Sequence, residues 1–502
     1  MDMGAITFDV LGQSYTVKLL LLVLAGAVIR TLYRAYGGPT ARIPGPWVTR
    51  FTRFWELRAV SRGDFEHTNI ALHKKYGPIV RTAPFTFSIN DPAVVKQIYL
   101  GGSAYPKAGF YKCFGSPIPE EANIFSDTNI KQHAVNRRKI ASLYAMSTVV
   151  GYEEFVDRCN GQFAAKLREF AATRTAFDVT TWMQHYAYDV IGEITFGKSF
   201  GIIERGHDTD NILHSVDEVL AYGARMGVFP ELHPWVAWVT GLLGIKIPFY
   251  SVMEYIYSQI NSRSDADNTG NDFLTKLLAL RKTDKISRVD VDITIGNNIA
   301  AGSDTTASTL AAVVYYLRKH PQAEAKLREE IDALAGEGKI SDPVTFDEAR
   351  RMPYLQACIK EVLRIHPAVG RLLARIVPPE GATLSGQYFP GGTTVGVSPW
   401  VLHYNEDVFG PDVTVFRPER WLEADKDRLS LMDQSSISFG VGSRTCIGKN
   451  ISLLEMSKVI PQLYRQFEFE LVNPDGKWAT WNDLFVKQKF DCYVKERRLS
   501  TL

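Results

Sequence analysis

The sequence carries almost no excess of either charge: 57 lysines and arginines stand against 55 aspartates and glutamates, a net charge of +2. Nothing in that balance points to a nucleic-acid partner. Cysteine is scarce, and its five residues (Cys113, Cys159, Cys358, Cys446, Cys492) are odd in number and lack paired spacing. That argues against a disulfide framework and for reducing surroundings. No internal repeat or long low-complexity tract is visible. No dinucleotide fingerprint appears either, so nothing in the chain binds NADPH or flavin. What is there is ordinary globular material, 45% apolar and 22% charged over 502 residues, enough for a large core. As a soft prior, that length suggests about three domains.

Long apolar runs are also few. Tyr15 to Tyr33 is the most apolar stretch, and its uncharged centre, Leu19 to Ile29, would rise only about 17 Å as a helix against a hydrocarbon core of roughly 30 Å. Lys18 and Arg30 can snorkel outward and lengthen the usable span. No small-residue cleavage site follows, so residues 1–36 are expected to be an uncleaved, single-pass N-terminal anchor. Asp2 and Asp9 precede it and Arg30, Arg34 and Arg42 follow, which places the remainder in the cytoplasm. The alternative is a helix lying in the membrane interface. Pro39, Pro44, Gly45 and Pro46 then make a stiff connector over 37–48. Ile79–Thr82 and Thr86–Ile89 read as a hairpin. Gly101 to Asp127 has no period and is either connection or pocket lining. Tyr222 to Tyr250 reads as an apolar loop among prolines and glycines, open to assignment as core, lid or membrane contact. Arg263 to Asn271 is a polar loop.

The chemistry concentrates in Ser438-Phe439-Gly440-Val441-Gly442-Ser443-Arg444-Thr445-Cys446-Ile447-Gly448. The glycines allow tight turns and close approach of the main chain to a flat object. A helical pattern starts directly behind Cys446, and a positive helix end lowers a thiol pKa. Arg444 is a cation suited to a carboxylate on the same object. Taken singly, such a cysteine could be merely a small apolar residue. Upstream, a helix from about Val291 to Lys319 holds Ala301-Gly302-Ser303-Asp304-Thr305-Thr306. Gly302 lets something flat come close, and Thr305 can bond back to a carbonyl one turn earlier. Asp304 beside that hydroxyl offers a proton path. Glu361 and Arg364 share a helix face, ahead of Phe416-Arg417-Pro418-Glu419-Arg420-Trp421. His133 and Arg137 also share a face, and Arg375 sits in an apolar run that leaves it needing an anion.

The spacing Phe-x-x-Gly-x-Arg-x-Cys-x-Gly resembles the cysteine-ligand loop of the cytochrome P-450 superfamily, the haem-thiolate monooxygenases. Ala301–Thr306 resembles that family's oxygen-binding sequence, and Glu361 with Arg364 its Glu-x-x-Arg helix. The resemblance runs from the hinge to about Val494 and looks most like microsomal, fungal members, some of which tailor secondary metabolites. It implies a mainly α fold: one helical haem domain over 49–502 with small β-sheets, overruling the length prior. Cys446 would be the axial ligand of haem b, in a loop with Phe439, Gly440, Arg444 and Gly448. Arg137, Arg375 and Arg444 would hold propionates, with His133 standing where the family usually has tryptophan. Ala301 and Gly302 would face the haem, and Asp304 and Thr305 would relay protons. Glu361, Arg364 and Arg420 would form a buried structural triad. The implied reaction inserts one oxygen atom from O2 into an apolar small molecule. NADPH-derived electrons would come from a separate reductase, with cytochrome b5 as an optional second donor, docking near Arg138, Lys139 and Lys449. The implied site is the endoplasmic reticulum membrane. Two rival readings are a haem-thiolate isomerase or rearrangement enzyme needing no reductase, and a non-catalytic haem-binding membrane module.

Overall fold

The computed structural model describes residues 3–100, 104–116, 118, 121–245, 249–263 and 270–498. Its centre is the long helix Arg288–Lys319. A reciprocal cap starts it: Ser287 Oγ accepts from Asp290 N–H, and the Asp290 carboxylate accepts from Ser287 N–H. Pro321 follows its end at His320. Val291, Ile295, Ile299, Leu310, Val314 and Leu317 lie on buried faces of this helix, the spacing of an apolar helical stripe. It packs along Val179–Phe196, which is buried over nearly its whole length. That helix starts at Asp178, whose carboxylate caps two backbone N–H groups, and stops at Gly197 with φ +70°.

Among the described residues, eleven short strands make four small sheets. β1 (Ile79–Ala83) and β2 (Thr86–Ile89) form the expected hairpin. With β3 (Phe177–Asp178), β4 (Arg375–Ile376), β5 (Ala382–Leu384), β6 (Gln387–Phe389) and β7 (Thr394–Gly396), chain order departs from sheet order. β7 pairs parallel to β2 and antiparallel to β4, bringing residues some 300 positions apart into one four-stranded sheet. β8 (Phe467–Leu471) alternates buried and exposed residues and joins β11 (Asp491–Glu496), which also pairs with β3. β9 (Ala479–Asn482) and β10 (Val486–Lys489) form a hairpin, as do β5 and β6. The architecture is mainly helical, with one extensive core around the central helix.

The N-terminal expectation is not supported. Helix Met3–Tyr36 is present, but among the described residues no helix is long and apolar enough to cross a membrane. Leu19–Ile29, the uncharged centre, is too short by itself, and side chains at 3–14, 16 and 34 lie outside the described ones. Tyr222–Tyr250 is largely helical rather than loop, over Ile212–Met226 and His233–Leu242. Trp235, Trp238, Leu242 and Leu243 are 62–71% exposed there, which excludes them from the core. Most of the polar stretch Arg263–Asn271 lies outside the described residues.

Candidate active site

Cys446 is the one exposed cysteine of the five. Its loop is pinned from both ends. Gly440 N–H donates to Ile437 C=O and Cys446 N–H to Phe439 C=O, each at 2.8 Å. Ser438 Oγ donates to Leu363 C=O at 2.6 Å. Gly440 and Gly442 adopt φ +63° and +71°, and a Cβ on Gly442 would sit 2.0 Å from Tyr99 O, so no other residue fits there. Gly448 precedes the helix Lys449–Gln466, and a Cβ there would lie 4.0 Å from the cysteine sulfur. The surrounding loop raises the Cys446 thiol above its ordinary range; N–H groups of Gly448 and Lys449 and the Arg137 guanidinium oppose that. A metal ion bound at the sulfur would remove the proton outright.

Beside this loop, basic groups converge and outnumber the acid among them, Asp127. Arg444 donates to Asp127 C=O at 2.7 Å, and burial together with Arg375 pulls it down to about 10. Arg375, buried at the start of β4, donates to Ala374 C=O at 3.0 Å and lies over the Tyr99 ring. Lys107 pairs with Arg375 in an isolated antiparallel bridge and donates to Phe125 C=O at 2.6 Å. Burial, then Arg375 and Arg444, push Lys107 well below the ordinary lysine range, with Asp127 opposing. Burial lowers Arg137, with Cys446 and Tyr144 opposing. His133, buried on the helix Ile130–Ile140, is held at about 3 by burial and by Arg444, Lys107, Arg137 and Arg375. It is a neutral imidazole keeping one N–H to give. Buried cations are normally paired, so this cluster fits an incoming group with more than one negative charge.

On the helix Arg288–Lys319, Thr305 Oγ1 donates back to Ala301 C=O at 2.8 Å, as expected. Asp304 turns into the protein. Its Oδ1 accepts from Gln184 Nε2 at 2.7 Å, and its Oδ2 lies 3.0 Å from Lys487 Nζ. Lys487 also contacts Asp217, whose side chain is 47% exposed. Burial works against the Lys487 ammonium, but the two carboxylates hold it above the ordinary lysine range. Burial and the Asp304 charge raise Asp217. Gly302 serves helix packing: a Cβ there would lie 3.1 Å from Ile191 on the neighbouring helix.

Glu361, Arg364 and Arg420 are brought together with almost no exposure. Arg364 grips Glu361 through two hydrogen bonds, of 2.9 and 2.7 Å. Its remaining donors go to the carbonyls of His403, Val413 and Val415. Arg420 reaches Glu361 at 3.4 Å and Asp412 at 2.5 Å, and Trp421 Nε1 donates to Glu361 at 2.9 Å.

Lys107, Gln184, Asp217 and Lys487 were not legible as site residues. Lys107 sits in a stretch without periodicity, and Lys487 lies 183 positions from Asp304 along the chain.

An accessible cysteine beneath a helix start and next to a cation cluster, with a hydroxyl and an acid on the central helix, is the arrangement that a thiolate-ligated haem protein requires. The cytochrome P450 family model matches residues 44–491. Pisatin demethylase of Fusarium vanettenii is 39% identical over 93% of this chain and 91% of its own length. Cytochrome P450 monooxygenase gsfF of Penicillium aethiopicum is 35% identical, covering 90% and 92%. The monooxygenase cicH of Emericella nidulans is 34% identical, covering 89% and 91%. The chain belongs to the cytochrome P450 family. It is an oxidoreductase that uses haem b, O2 and electrons supplied by a redox partner.

Proposed function

We propose that this monooxygenase oxidises an apolar organic substrate in a tailoring step of fungal secondary metabolism, removal of a methyl group being the first reaction to test. The relative named for demethylation supports that choice. When bound, haem b supplies dioxygen binding and O–O cleavage. Cys446 would hold its iron, with Phe439, Gly440 and Gly448 lining the sulfur side and Ala301 the other. Arg137, Arg375 and Arg444 would bind its carboxylates, helped by His133 and by Lys107. The observation that carries this assignment is the run of under-neutralised cations beside an open cysteine sulfur. Asp304 and Thr305 pass protons inward, and the half-exposed Asp217 links Asp304, through Lys487, to the surface. Those groups argue against an isomerase, which has no need of proton delivery.

Lys139 is engaged by Asp290 at 3.0 Å, so the basic face left for a reductase comprises Arg138 and Lys449. Exposed Trp235, Trp238, Leu242 and Leu243, with the exposed leucines of helix Met3–Tyr36, support a body resting on a membrane surface. A carbon monoxide difference spectrum tests the ligand. A thiolate-type band lost in Cys446→Ala is expected; an imidazole-type band would refute sulfur ligation. Product formed only with NADPH and reductase is the matching result for the reaction, and equal yield without them would favour the isomerase.

A further inference from the structure

Arg371 lies in the segment between the Glu361 helix and β4, and only 4% of it is exposed. Its Nη2 donates to Glu56 Oε1 on the helix Phe54–Ser61 at 2.9 Å. Its guanidinium carbon stands 4.3 Å from the Phe65 ring centre and 5.2 Å from that of Phe110. Its Nη1 has no hydrogen-bond acceptor among the described residues. A buried donor left over in this way is costly, and in native proteins it calls for an explanation.

The same arginine lines a cavity of about 110 Å³ with Glu56, Ala108, Phe110, Val228 and Leu372. Gly227 keeps that shape: a Cβ there would stand 2.4 Å from the Phe110 ring. At the mouth, Arg53 bonds Glu231 and lies 4.5 Å from the Phe229 ring centre. The cavity adjoins the site described above. Ala108 and Ala374 line it, and their chain neighbours Lys107 and Arg375 are bridged within the cation cluster.

We propose that this cavity is a substrate subsite, in which Arg371 Nη1 donates a hydrogen bond to a neutral acceptor oxygen on an aromatic or otherwise apolar substrate. The proposal rests on the monooxygenase reading and adds the substrate class. Glu56 already balances the guanidinium, so a second carboxylate would be repelled, whereas a carbonyl, hydroxyl or ether oxygen would not. The apolar lining accepts a hydrocarbon body. A cavity of roughly 150 Å³ takes one benzene ring, so this one takes a ring edge with its oxygen while the rest of the molecule extends out of it.

The test uses the haem-loaded full chain and two probes that differ only in a carbonyl, 1-tetralone and tetralin, with binding measured by calorimetry. The wild type should bind 1-tetralone about tenfold or more tightly than tetralin, the range for a hydrogen bond to a charged donor. Arg371→Leu combined with Glu56→Gln, which strands no charge, should bind both alike and leave tetralin affinity unchanged. Arg371→Lys keeps the ion pair but lacks the spare arm of the fork, so it should also lose the preference even if the double variant folds poorly. No preference in the wild type, no binding of either probe, or a preference that survives both variants would overturn the subsite. Turnover with reductase is read in parallel: its absence with the preference intact refutes the reaction and spares the subsite.

Discussion

Two groups of buried and half-buried arginines in this protein look alike in sequence and differ in their charge balance. Around Glu361, the Arg364 and Arg420 guanidinium groups meet two carboxylates, Glu361 and Asp412, and every remaining donor arm of Arg364 finds a carbonyl. Around Cys446, burial and then the charges of Arg375 and Arg444 lower Lys107, and burial with Arg375 lowers Arg444, Asp127 being the opposing carboxylate. The first group is complete within the chain and acts as a structural lock. The second, on the assignment proposed above, would be completed by an anion from outside, which is how a binding site differs from a brace. Glu66 is a smaller counterpart of opposite sign: a carboxyl with no exposure, bonded by Asn482 and raised to about 7 mainly by burial.

Breaking the complete group has the largest expected effect. Arg364→Ala leaves Glu361 buried without its main partner and should cost about 3–5 kcal/mol of stability; denaturant unfolding of the apoprotein measures it. Arg444→Met should do the reverse. It relieves repulsion in the apoprotein, so stability holds or rises, while haem affinity falls about tenfold or more from loss of a charge-assisted contact. Haem transfer to apomyoglobin, with apoprotein melting, separates the two. If apoprotein stability fell as it does for Arg364→Ala, the contrast between the groups would be lost.

Lys487→Met leaves Asp304 facing Asp217 without the ammonium between them. Turnover should drop about tenfold, with more NADPH consumed per product formed, because proton delivery is impaired while substrate binding is not. Coupled NADPH oxidation and product assays decide this. The smallest effect concerns Glu66. Its folded-state pKa is raised, so between about 4.5 and 7 the folded chain holds a proton that the unfolded chain has lost. Stability therefore declines as pH rises through that window. Glu66→Gln should remove up to about 1.4 kcal/mol per pH unit of that slope, read from unfolding midpoints at pH 5, 6 and 7.

The chain's own order made the Cys446 loop and the Arg288–Lys319 helix readable, because turn glycines, caps and helical spacing act over a few residues. The same locality misled at Tyr222–Tyr250, where prolines and glycines suggested a loop but the chain carries two helices, of which His233–Leu242 turns an apolar face outward. Gly302 was read as room for a flat ligand, and the structure gives that room to Ile191. The triad was readable as residues, but its completeness was not, since the carbonyls that saturate Arg364 come from an irregular segment some 40–50 positions away.

The sequence alone determined the sulfur, its glycine turns, the acid beside a hydroxyl and the arginines, since each depends on neighbours within one or two helical turns. Only the tertiary structure decided which buried charges are balanced. It joined Lys107 to Arg375, Lys487 to Asp304 and Arg371 to Glu56 across more than 180 positions in every case. Charge compensation depends on distance in space and on exclusion of water, and neither is written in the order of the residues.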